Sequence, residues 1–413
     1  MDLLRFITCG SVDDGKSTLI GRLLYDSDSV SLDVLAAIEN RPAVHGGVDL
    51  ALLTDGLRAE REQGITIDVA HKYFTTPRRK FIITDAPGHV QYTRNMVTGA
   101  SNAELAIVLV DARSGVIEQT RRHTLVAALL GIRHFVLAVN KMDLVGNEQA
   151  VFERIVADYQ AVTRKLNVAD AVAIPLSALH GDNVVRRSAR LPWYAGPSLL
   201  EHLESVPAAP NATADEPRFQ VQYVIRPQQA ELPDYRGYAG RIQSGVYRKG
   251  DKVRVLPSGR ETEIEALEVG QREVEAAVAP QAVVIRLRDD VDVSRGDAIV
   301  PAPSRPTVTR ALEATLCWMD ERPLLPGQKF LLQHHSALVK ASVSALLSKT
   351  SVETLTRSAA DSAQLNDIVR VRLKTAVPLV ADPYRLNRAT GAFILLDEQT
   401  GATLAAGLIE STE

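Results

Sequence analysis

The sequence predicts an α/β domain built on a parallel sheet, followed by two small all-β barrel domains. Strand and helix patterns alternate from the N-terminus to Leu203, which is typical of a parallel sheet with helices on both faces. A linker rich in Pro, Ala, Asn and Asp follows at Val206–Pro217. Beyond it, short strands separated by Gly-containing turns predominate, as in small barrels. We therefore expect domains at residues 1–207, 208–305 and 306–413.

The elements of the α/β domain are predicted from apolar runs and helical periodicity. The runs typical of buried strands are Leu4–Thr8, Phe81–Thr84, Leu105–Val110, Phe135–Val139 and Ala171–Leu176. Helices are expected at Lys16–Leu24, Glu118–Leu130, Gln149–Leu166 and Ser198–Leu203. The segments Ile65–Phe74 and Lys80–Thr84, joined by a short turn, predict a hairpin that adds one antiparallel edge strand.

The predicted strands of the barrels fall into two blocks, separated by the proline cluster Pro301–Pro306. The first block contains Phe219–Ile225, Tyr238–Ser244, Lys252–Leu256 and Val283–Leu287. The second contains Ala311–Trp318, Lys329–Gln333, Leu338–Leu346, Ile368–Leu373 and Phe393–Leu396. Two successive blocks of short strands predict two separate barrels.

The composition is that of a globular chain and disfavours several classes of protein. Of 413 residues, 46% are hydrophobic and 23% are charged, and the net charge of −3 gives no bulk basic character, so a nucleic-acid partner is not expected. No apolar run approaches the roughly 18 residues of a membrane span, and Met1–Thr8 lacks the pattern of a signal peptide. Cys9 and Cys317 are both expected to pack in strands, so we expect a reducing, cytoplasmic location.

The first chemical motif is GSVDDGKS, which follows a predicted strand and opens a predicted helix. In that context the pattern G-x-x-x-x-G-K-[ST] binds phosphate, because its backbone N–H groups face an anion at a helix N-terminus. Lys16 is expected to contact the β- and γ-phosphates, and Ser17 to bind Mg²⁺. Two carboxylates in this loop are electrostatically unfavourable, and the sequence gives no role to Asp14. The expected phosphate-binding residues are Gly10, Ser11, Val12, Asp13, Asp14, Gly15, Lys16, Ser17 and Thr18.

A second motif, DAPGH, comes at the end of the second hairpin strand. An aspartate at the carboxyl end of a strand, near the phosphate loop, is well placed to hold Mg²⁺ through water. The glycine can offer an unhindered N–H to the γ-phosphate. The residues assigned to this motif are Asp85, Ala86, Pro87, Gly88 and His89.

The third set of residues predicts that the base is guanine. Asp143, in the motif NKMD, can accept hydrogen bonds from N1–H and the N2 amino group of guanine, whereas adenine would leave it facing an acceptor. Asn140 can bond N7 and support the phosphate loop, and the Ala178 N–H can reach O6. The expected base-binding residues are Asn140, Lys141, Met142, Asp143, Ser177, Ala178 and Leu179.

Together these motifs resemble those of the translational GTPases, and Arg61–Asp68 resembles the first switch of that class. The resemblance implies that Thr66 closes over Mg²⁺ and the γ-phosphate. It also implies that His89 orients the attacking water, behind an apolar gate of Val12 and Ile65. The implied catalytic residues are His89, Lys16 and Thr66, and the implied metal ligands are Ser17, Thr66 and Asp85.

A narrower resemblance, to the large GTPase subunit of bacterial sulfate adenylyltransferase, extends along nearly the whole chain. It is carried by Gly10–Ser27, Asp49–Ala70, Gly88–Ser101, Pro175–Val185, Leu191–Glu204, Arg236–Val246, Ser294–Val300, Leu325–Phe330 and Thr390–Ile409. This resemblance implies GTP and Mg²⁺ as cofactors and a smaller ATP-sulfurylase subunit as partner. That subunit would make adenosine 5′-phosphosulfate and pyrophosphate from ATP and sulfate, driven by GTP hydrolysis. An adenylylsulfate kinase domain is expected to be either fused or separate.

Other functions share some of these features. An elongation-factor-like translational GTPase would have the same motifs and barrels, and a free-standing regulatory GTPase would have the motifs alone. The segments around Asp14, Trp193 and Arg236, with the absence of net positive charge, favour sulfate activation. The family pattern is poorly matched at Asp26–Gly47, where we expect a mobile loop.

The remaining histidines are assigned to structure. His71, His123 and His134 are expected to pack or to face solvent. His334 and His335 are adjacent, so in a strand their side chains would point to opposite faces, and no metal site is predicted there.

Overall fold

The computed structural model describes residues 2–27, 29–30, 50–53, 68–89, 93–168, 170–207, 216–227, 235–270 and 272–412. The chain divides into two compact units. One is Met1–Ala209 with Ser351–Thr356, and the other is Pro210–Thr350 with Arg357–Glu413. The first holds the α/β fold and the second holds both barrels, so the predicted fold class is confirmed. The three domain bounds stay a prediction, and the expected mobile loop falls mostly outside the described residues.

The α/β unit contains one six-stranded sheet in the order β2-β3-β1-β4-β5-β6. Its strands are β1 Leu3–Cys9, β2 Ala70–Thr75, β3 Lys80–Asp85, β4 Leu105–Asp111, β5 His134–Asn140 and β6 Asp170–Pro175. All neighbours are parallel except β2 and β3, which form the predicted antiparallel hairpin at one edge. Every residue of β4 is buried, which explains the uninterrupted apolar run LAIVLV before its last residue, Asp111.

Five α-helices lie in the described part of this unit. They are α1 Lys16–Asp26, α2 Thr93–Ala100, α3 Glu118–Leu129, α4 Gln149–Lys165 and α5 Leu199–Ser205. The sequence analysis missed α2, because eight residues with only Met96, Val97 and Ala100 turned to the core give little periodicity. None of the helices in the described ranges combines the length and apolarity that crossing a bilayer requires.

The first barrel closes six strands in the order β10-β15-β7-β8-β14-β11, with β10 also paired to β11. Its strands, with the short β12 and the β9–β13 pair, are β7 Arg218–Ile225, β8 Gly237–Ser244, β9 Val246–Arg248, β10 Lys252–Leu256, β11 Arg260–Val269, β12 Arg272–Val274, β13 Ala276–Val278, β14 Ala282–Leu287 and β15 Ala298–Pro301. The strands predicted from sequence do not include β9, β11, β12, β13 or β15. Four of these are only three or four residues long, and the fifth, β11, has the sequence RETEIEALEV, whose glutamates lie on its more exposed face.

The second barrel closes in the order β17-β21-β22-β16-β20-β18, with β17 also paired to β18. Its strands, with the short β19, are β16 Thr307–Trp318, β17 Lys329–His334, β18 Ala337–Thr350, β19 Arg357–Ser358, β20 Ile368–Ala381, β21 Ala392–Leu396 and β22 Thr403–Thr412. The expectation that His334 and His335 point to opposite faces of a strand is wrong. His335 has already entered a turn, with φ 53°, and the two rings lie 4.8 Å apart.

A buried ion pair joins the two barrels within their common unit. Arg218 of the first barrel donates to both carboxylate oxygens of Asp382, at 3.0 and 3.1 Å, and to the Ser304 hydroxyl at 3.0 Å. The Thr390 hydroxyl donates to the same carboxylate at 2.6 Å. Burial by itself raises the pKa of Asp382, but the bonds from Arg218 and Thr390 outweigh it and hold the pKa below its usual range.

We expect Asp382→Ala to lower the free energy of unfolding of the barrel unit by about 3 kcal/mol, because Arg218 would keep its buried charge with only the largely exposed carboxylate of Glu216, 3.0 Å away, as a counterion. Urea denaturation measures the loss. Since the folded pKa of Asp382 is depressed, its contribution is present above the unfolded pKa and is lost as the pH falls through the folded value. Glu261→Gln, which breaks the ion pair of the exposed Glu261 with Arg254, is the control and should cost much less, because solvent screens the charge of an exposed carboxylate. Equal losses in the two variants would contradict the prediction.

Candidate nucleotide-binding site

The loop from Gly10 to Gly15 leaves the carboxyl end of the central strand β1 and leads into α1. Two of its residues have left-handed backbone angles, Asp13 with φ 68° and Gly15 with φ 91°. A Cβ at Gly15 would also lie 2.5 Å from Asn140 Nδ2, so this position requires glycine on two counts. The loop therefore turns sharply enough to present backbone N–H groups at the start of α1, where an anion is stabilised.

Lys16 is the buried cation of the loop. Its ammonium donates to the carbonyls of Gly10 at 2.9 Å and Ser11 at 2.7 Å. Burial lowers its pKa, and the nearby carboxylates of Asp85 and Asp14 oppose that shift. An ammonium held this way faces the region where a polyphosphate would add negative charge, so the residues present fit a nucleotide.

The structure supplies a role for Asp14, which the sequence left unexplained. Its buried carboxylate accepts a hydrogen bond from the Ser11 N–H at 2.5 Å and so closes the loop on itself. Burial raises the pKa of this carboxyl, against the opposing effects of the Ser11 bond and Lys16. Asp14 is thus a structural member of the loop, and its negative charge is disfavoured by its own surroundings.

The DAPGH segment continues from β3 and reaches the same end of the sheet. Asp85 is buried, and its carboxylate accepts from the Thr8 hydroxyl at 3.3 Å. Gly88 packs directly on the phosphate loop, since a Cβ there would lie 2.5 Å from Lys16 Nζ and 2.7 Å from the Gly10 carbonyl. His89 follows with an exposed side chain. Of the residues expected to hold Mg²⁺, Ser17 and Asp85 lie on the two segments that meet here, and their hydroxyl and carboxylate oxygens suit that ion.

A glutamine and a histidine on α3 support Gly88, and the sequence analysis gave neither a role there. The Gln119 amide donates to the Gly88 carbonyl at 3.2 Å and lies 2.9 Å from His123 Nε2. Burial lowers the pKa of His123 to about 3, so its ring is neutral and Nε2 accepts from the amide. The expectation that His123 packs is met by its burial, and only the three-dimensional contact with Gly88 reveals the link.

The base motif is attached to the phosphate loop through Asn140, the last residue of β5. Its amide nitrogen donates to the Asp14 carbonyl at 2.7 Å, and its amide oxygen accepts from the Ala178 N–H at 2.9 Å. The side chain is buried, so both bonds are shielded from water. The expected contact with the phosphate loop is therefore present. The Ala178 N–H, which was expected to reach O6 of guanine, is donated to Asn140 instead.

Lys141 extends from the base motif toward the phosphate loop. It has a left-handed backbone with φ 61°, and its ammonium contacts the Asp13 carbonyl and lies 3.0 Å from Asp111. Burial raises the pKa of Asp111, but the hydrogen bonds from Arg113 and Lys141 dominate and hold it well below its usual range. Asp111 is thus a fixed anion that orients the lysine stem.

Asp143 and Ser177 complete the base region. Asp143 lies in the 3₁₀ turn Met142–Val145, and its partly exposed carboxylate lies 3.8 Å from His180 Nε2. The Ser177 hydroxyl accepts from the His180 N–H at 3.3 Å and shapes the loop after β6. Thr66 and Ile65 lie outside the described residues, so their expected roles at Mg²⁺ and in the apolar gate stay predictions.

Comparison with known proteins agrees with this geometry. Residues 1–209 match the elongation factor Tu GTP binding domain, and residues 311–410 match the GTP-eEF1A C-terminal domain-like family. Sulfate adenylyltransferase subunit 1 of Laribacter hongkongensis is 52% identical over 100% of the chain and 86% of that protein. The bifunctional enzyme CysN/CysC of Mycobacterium tuberculosis is 54% identical over 98% of the chain and 67% of that protein.

The bifunctional enzyme NodQ of Rhizobium meliloti is 50% identical over 99% of the chain and 64% of that protein. These relatives therefore share the α/β unit and both barrels, beyond the nucleotide motifs that many GTPases have in common. The chain belongs to the sulfate adenylyltransferase subunit 1 family, the GTPase subunits of that enzyme within the translation-factor GTPase superfamily.

Proposed function

We propose that this chain binds GTP with Mg²⁺ and hydrolyses it to drive a smaller partner subunit, which makes adenosine 5′-phosphosulfate and pyrophosphate from ATP and sulfate. The observation that carries the nucleotide part is the buried Asn140 side chain, which joins the phosphate loop to the base-reading loops in one site. The sulfate part is supported by relatives named sulfate adenylyltransferase subunit 1 over almost the whole chain.

Hydrolysis requires positioning and charge stabilisation more than covalent chemistry. Lys16 stabilises charge that grows on the β- and γ-phosphate oxygens, and Gly88, which packs directly on the phosphate loop, offers its N–H to the γ-phosphate. Ser17, Asp85 and Thr66 are the residues that would hold Mg²⁺, which neutralises further charge when bound. His89, exposed at the end of the DAPGH segment, orients the attacking water.

Coupling demands that the partner contact the two nucleotide states differently, because only differential binding can shift a reaction on another chain. The contact between Gln119 and the Gly88 carbonyl gives α3 a direct link to the segment that meets the γ-phosphate. A kinase domain, fused or separate, would then consume the product. The relatives named as bifunctional enzymes support the fused arrangement as one form.

An elongation-factor-like role is the second candidate, favoured by the match of residues 1–209 to the elongation factor Tu domain. That role requires binding to RNA and stimulation by ribosomes. The net charge of −3 supplies little general attraction for RNA. Stimulation by ribosomes rather than by the small subunit would select this candidate.

We expect Asp143→Asn to weaken GTP binding about 100-fold and to improve binding of xanthosine triphosphate, because the amide can donate to the extra carbonyl of xanthine. Fluorescence titration with labelled nucleotides measures both affinities. Leu144→Ala, which changes an exposed side chain in the same 3₁₀ turn, is the control and should leave the preference unchanged. A variant that still prefers GTP would contradict the assigned role of Asp143.

Asp14→Ala should weaken GDP binding about tenfold, since the Ser11 N–H loses its buried acceptor. Asp14→Asn keeps an acceptor and removes a negative charge, so its affinity should equal or exceed that of the unsubstituted chain. The negative charge of a bound phosphate would raise the already raised pKa of Asp14 further, so affinity in the unsubstituted chain should increase as the pH falls toward the pKa of the free chain, and the Asn variant should lack this step. Calorimetric titration across pH tests both points, and equal losses in the two variants would contradict the assignment.

The proposed coupling is tested by GTP hydrolysis with and without the small subunit, in the presence of ATP and sulfate. We expect slow hydrolysis alone and faster hydrolysis with the partner, together with accumulating adenosine 5′-phosphosulfate. His89→Ala should lower both rates in parallel, because the two reactions share one energy source. Identical hydrolysis with and without the partner, and no product, would exclude coupling while leaving the GTPase assignment intact.

A further inference from the structure

Helix α1 holds the loop after β6 through Arg22, a residue to which the sequence analysis gave no role. Its Nε donates to the Ala178 carbonyl at 3.2 Å, and a terminal nitrogen donates to the Leu179 carbonyl at 2.5 Å. The other terminal nitrogen lies 3.3 Å from Asp26 Oδ1, one turn along the helix. All three nitrogens of this guanidinium are thus used, and the side chain is only 19% exposed.

These contacts determine where one backbone N–H of the loop points. A peptide unit is planar and trans, so the N–H of Leu179 is directed opposite to the Ala178 carbonyl that Arg22 holds. The neighbouring donors are already used, since the Ala178 N–H bonds Asn140 at 2.9 Å and the His180 N–H bonds Ser177 at 3.3 Å. No acceptor among the described residues takes the Leu179 N–H.

The close approach of α1 to this loop depends on Gly181. Its φ is +78°, and a Cβ there would lie 3.3 Å from Asp26 Oδ2 and 3.5 Å from Arg22 Cδ. The same helix begins at Lys16 of the phosphate loop. Helix α1 therefore begins with the phosphate-binding Lys16, and Arg22, about two turns further along the same helix, supports the base loop.

We propose that Arg22 is a specificity-determining positioning residue, which aims the Leu179 N–H at O6 of guanine. The proposal rests on the guanine site of the proposed function and replaces the Ala178 N–H as the donor that reads O6. Arg22 touches no substrate, and it acts by fixing the two carbonyls. Adenine carries an amino group where guanine has O6, so a fixed donor at this point would reject it.

The test compares GTP with 6-thio-GTP, whose sulfur is a weak acceptor at the position of O6, by fluorescence titration of the whole chain. The unsubstituted chain should bind GTP about tenfold more tightly than the thio analogue. Arg22→Gln should lose most of that preference, with GTP weakened about tenfold and the analogue by less than about twofold. Arg22→Lys, which can hold one carbonyl, should lie between the two.

Asp26→Asn is the matched control, because it removes the ion pair on α1 and leaves the carbonyl contacts of Arg22 in place. It should keep the full preference for GTP. Equal weakening of both nucleotides by Arg22→Gln, or no weakening of either, would overturn the proposal. If Arg22→Gln fails to fold by circular dichroism, an unchanged preference in Arg22→Lys would overturn it. Failure of the unsubstituted chain to prefer GTP over ATP would instead reject the proposed guanine site itself.

Discussion

The buried amide of Asn140 is the interaction on which the nucleotide site depends. It donates to the phosphate loop at Asp14 and accepts from the loop after β6 at Ala178, and it is only 2% exposed. An unpaired polar group at that depth would be costly, so both bonds must persist together. The phosphate loop and the two base loops are therefore fixed relative to one another before any ligand binds. Gly15 is part of the same constraint, since any side chain there would collide with Asn140.

Near that amide, the phosphate loop contains two charged residues whose burial disfavours their charged forms. Lys16 is buried and its pKa is lowered, while Asp14 is buried and its pKa is raised, so each is in surroundings that disfavour its charge. Loop carbonyls hold the ammonium and a backbone N–H holds the carboxylate. A bound polyphosphate would favour the charged lysine and disfavour the charged aspartate. Nucleotide binding and the protonation of this loop are consequently linked.

In the barrel unit, as in the nucleotide site, buried polar side chains from separate segments of the chain bond to one another. Arg218 and Asp382 come from different barrels, yet each is satisfied largely by the other. Ser304, Glu216 and Thr390 add further bonds to this pair, so the contact between the barrels is a network of polar groups rather than a single ion pair. The neighbouring apolar contact of Leu256, Ala298, Val300 and Val380 also draws on both barrels. Together, these polar and apolar contacts favour a fixed arrangement of the two barrels within their common unit.

The local sequence pattern was enough to predict the sheet, its antiparallel edge, the two barrels and the order of the nucleotide motifs, because each of these features depends on runs of contiguous residues. It missed the helix α2 and the strand β15, which are short, and the strand β11, which is rich in glutamate. It also missed the strand β22 and the turn at His335, where a left-handed residue ends the strand. The sequence alone thus determined the order of the nucleotide motifs, and the phosphate and guanine contacts it assigns to their residues stay predictions. Only the tertiary structure decided how they are held: Arg22 and Ala178 are far apart in the chain, as are Gln119 and Gly88. Their contacts arise because parallel strands bring their carboxyl ends to one edge, a fact of packing that no local pattern contains.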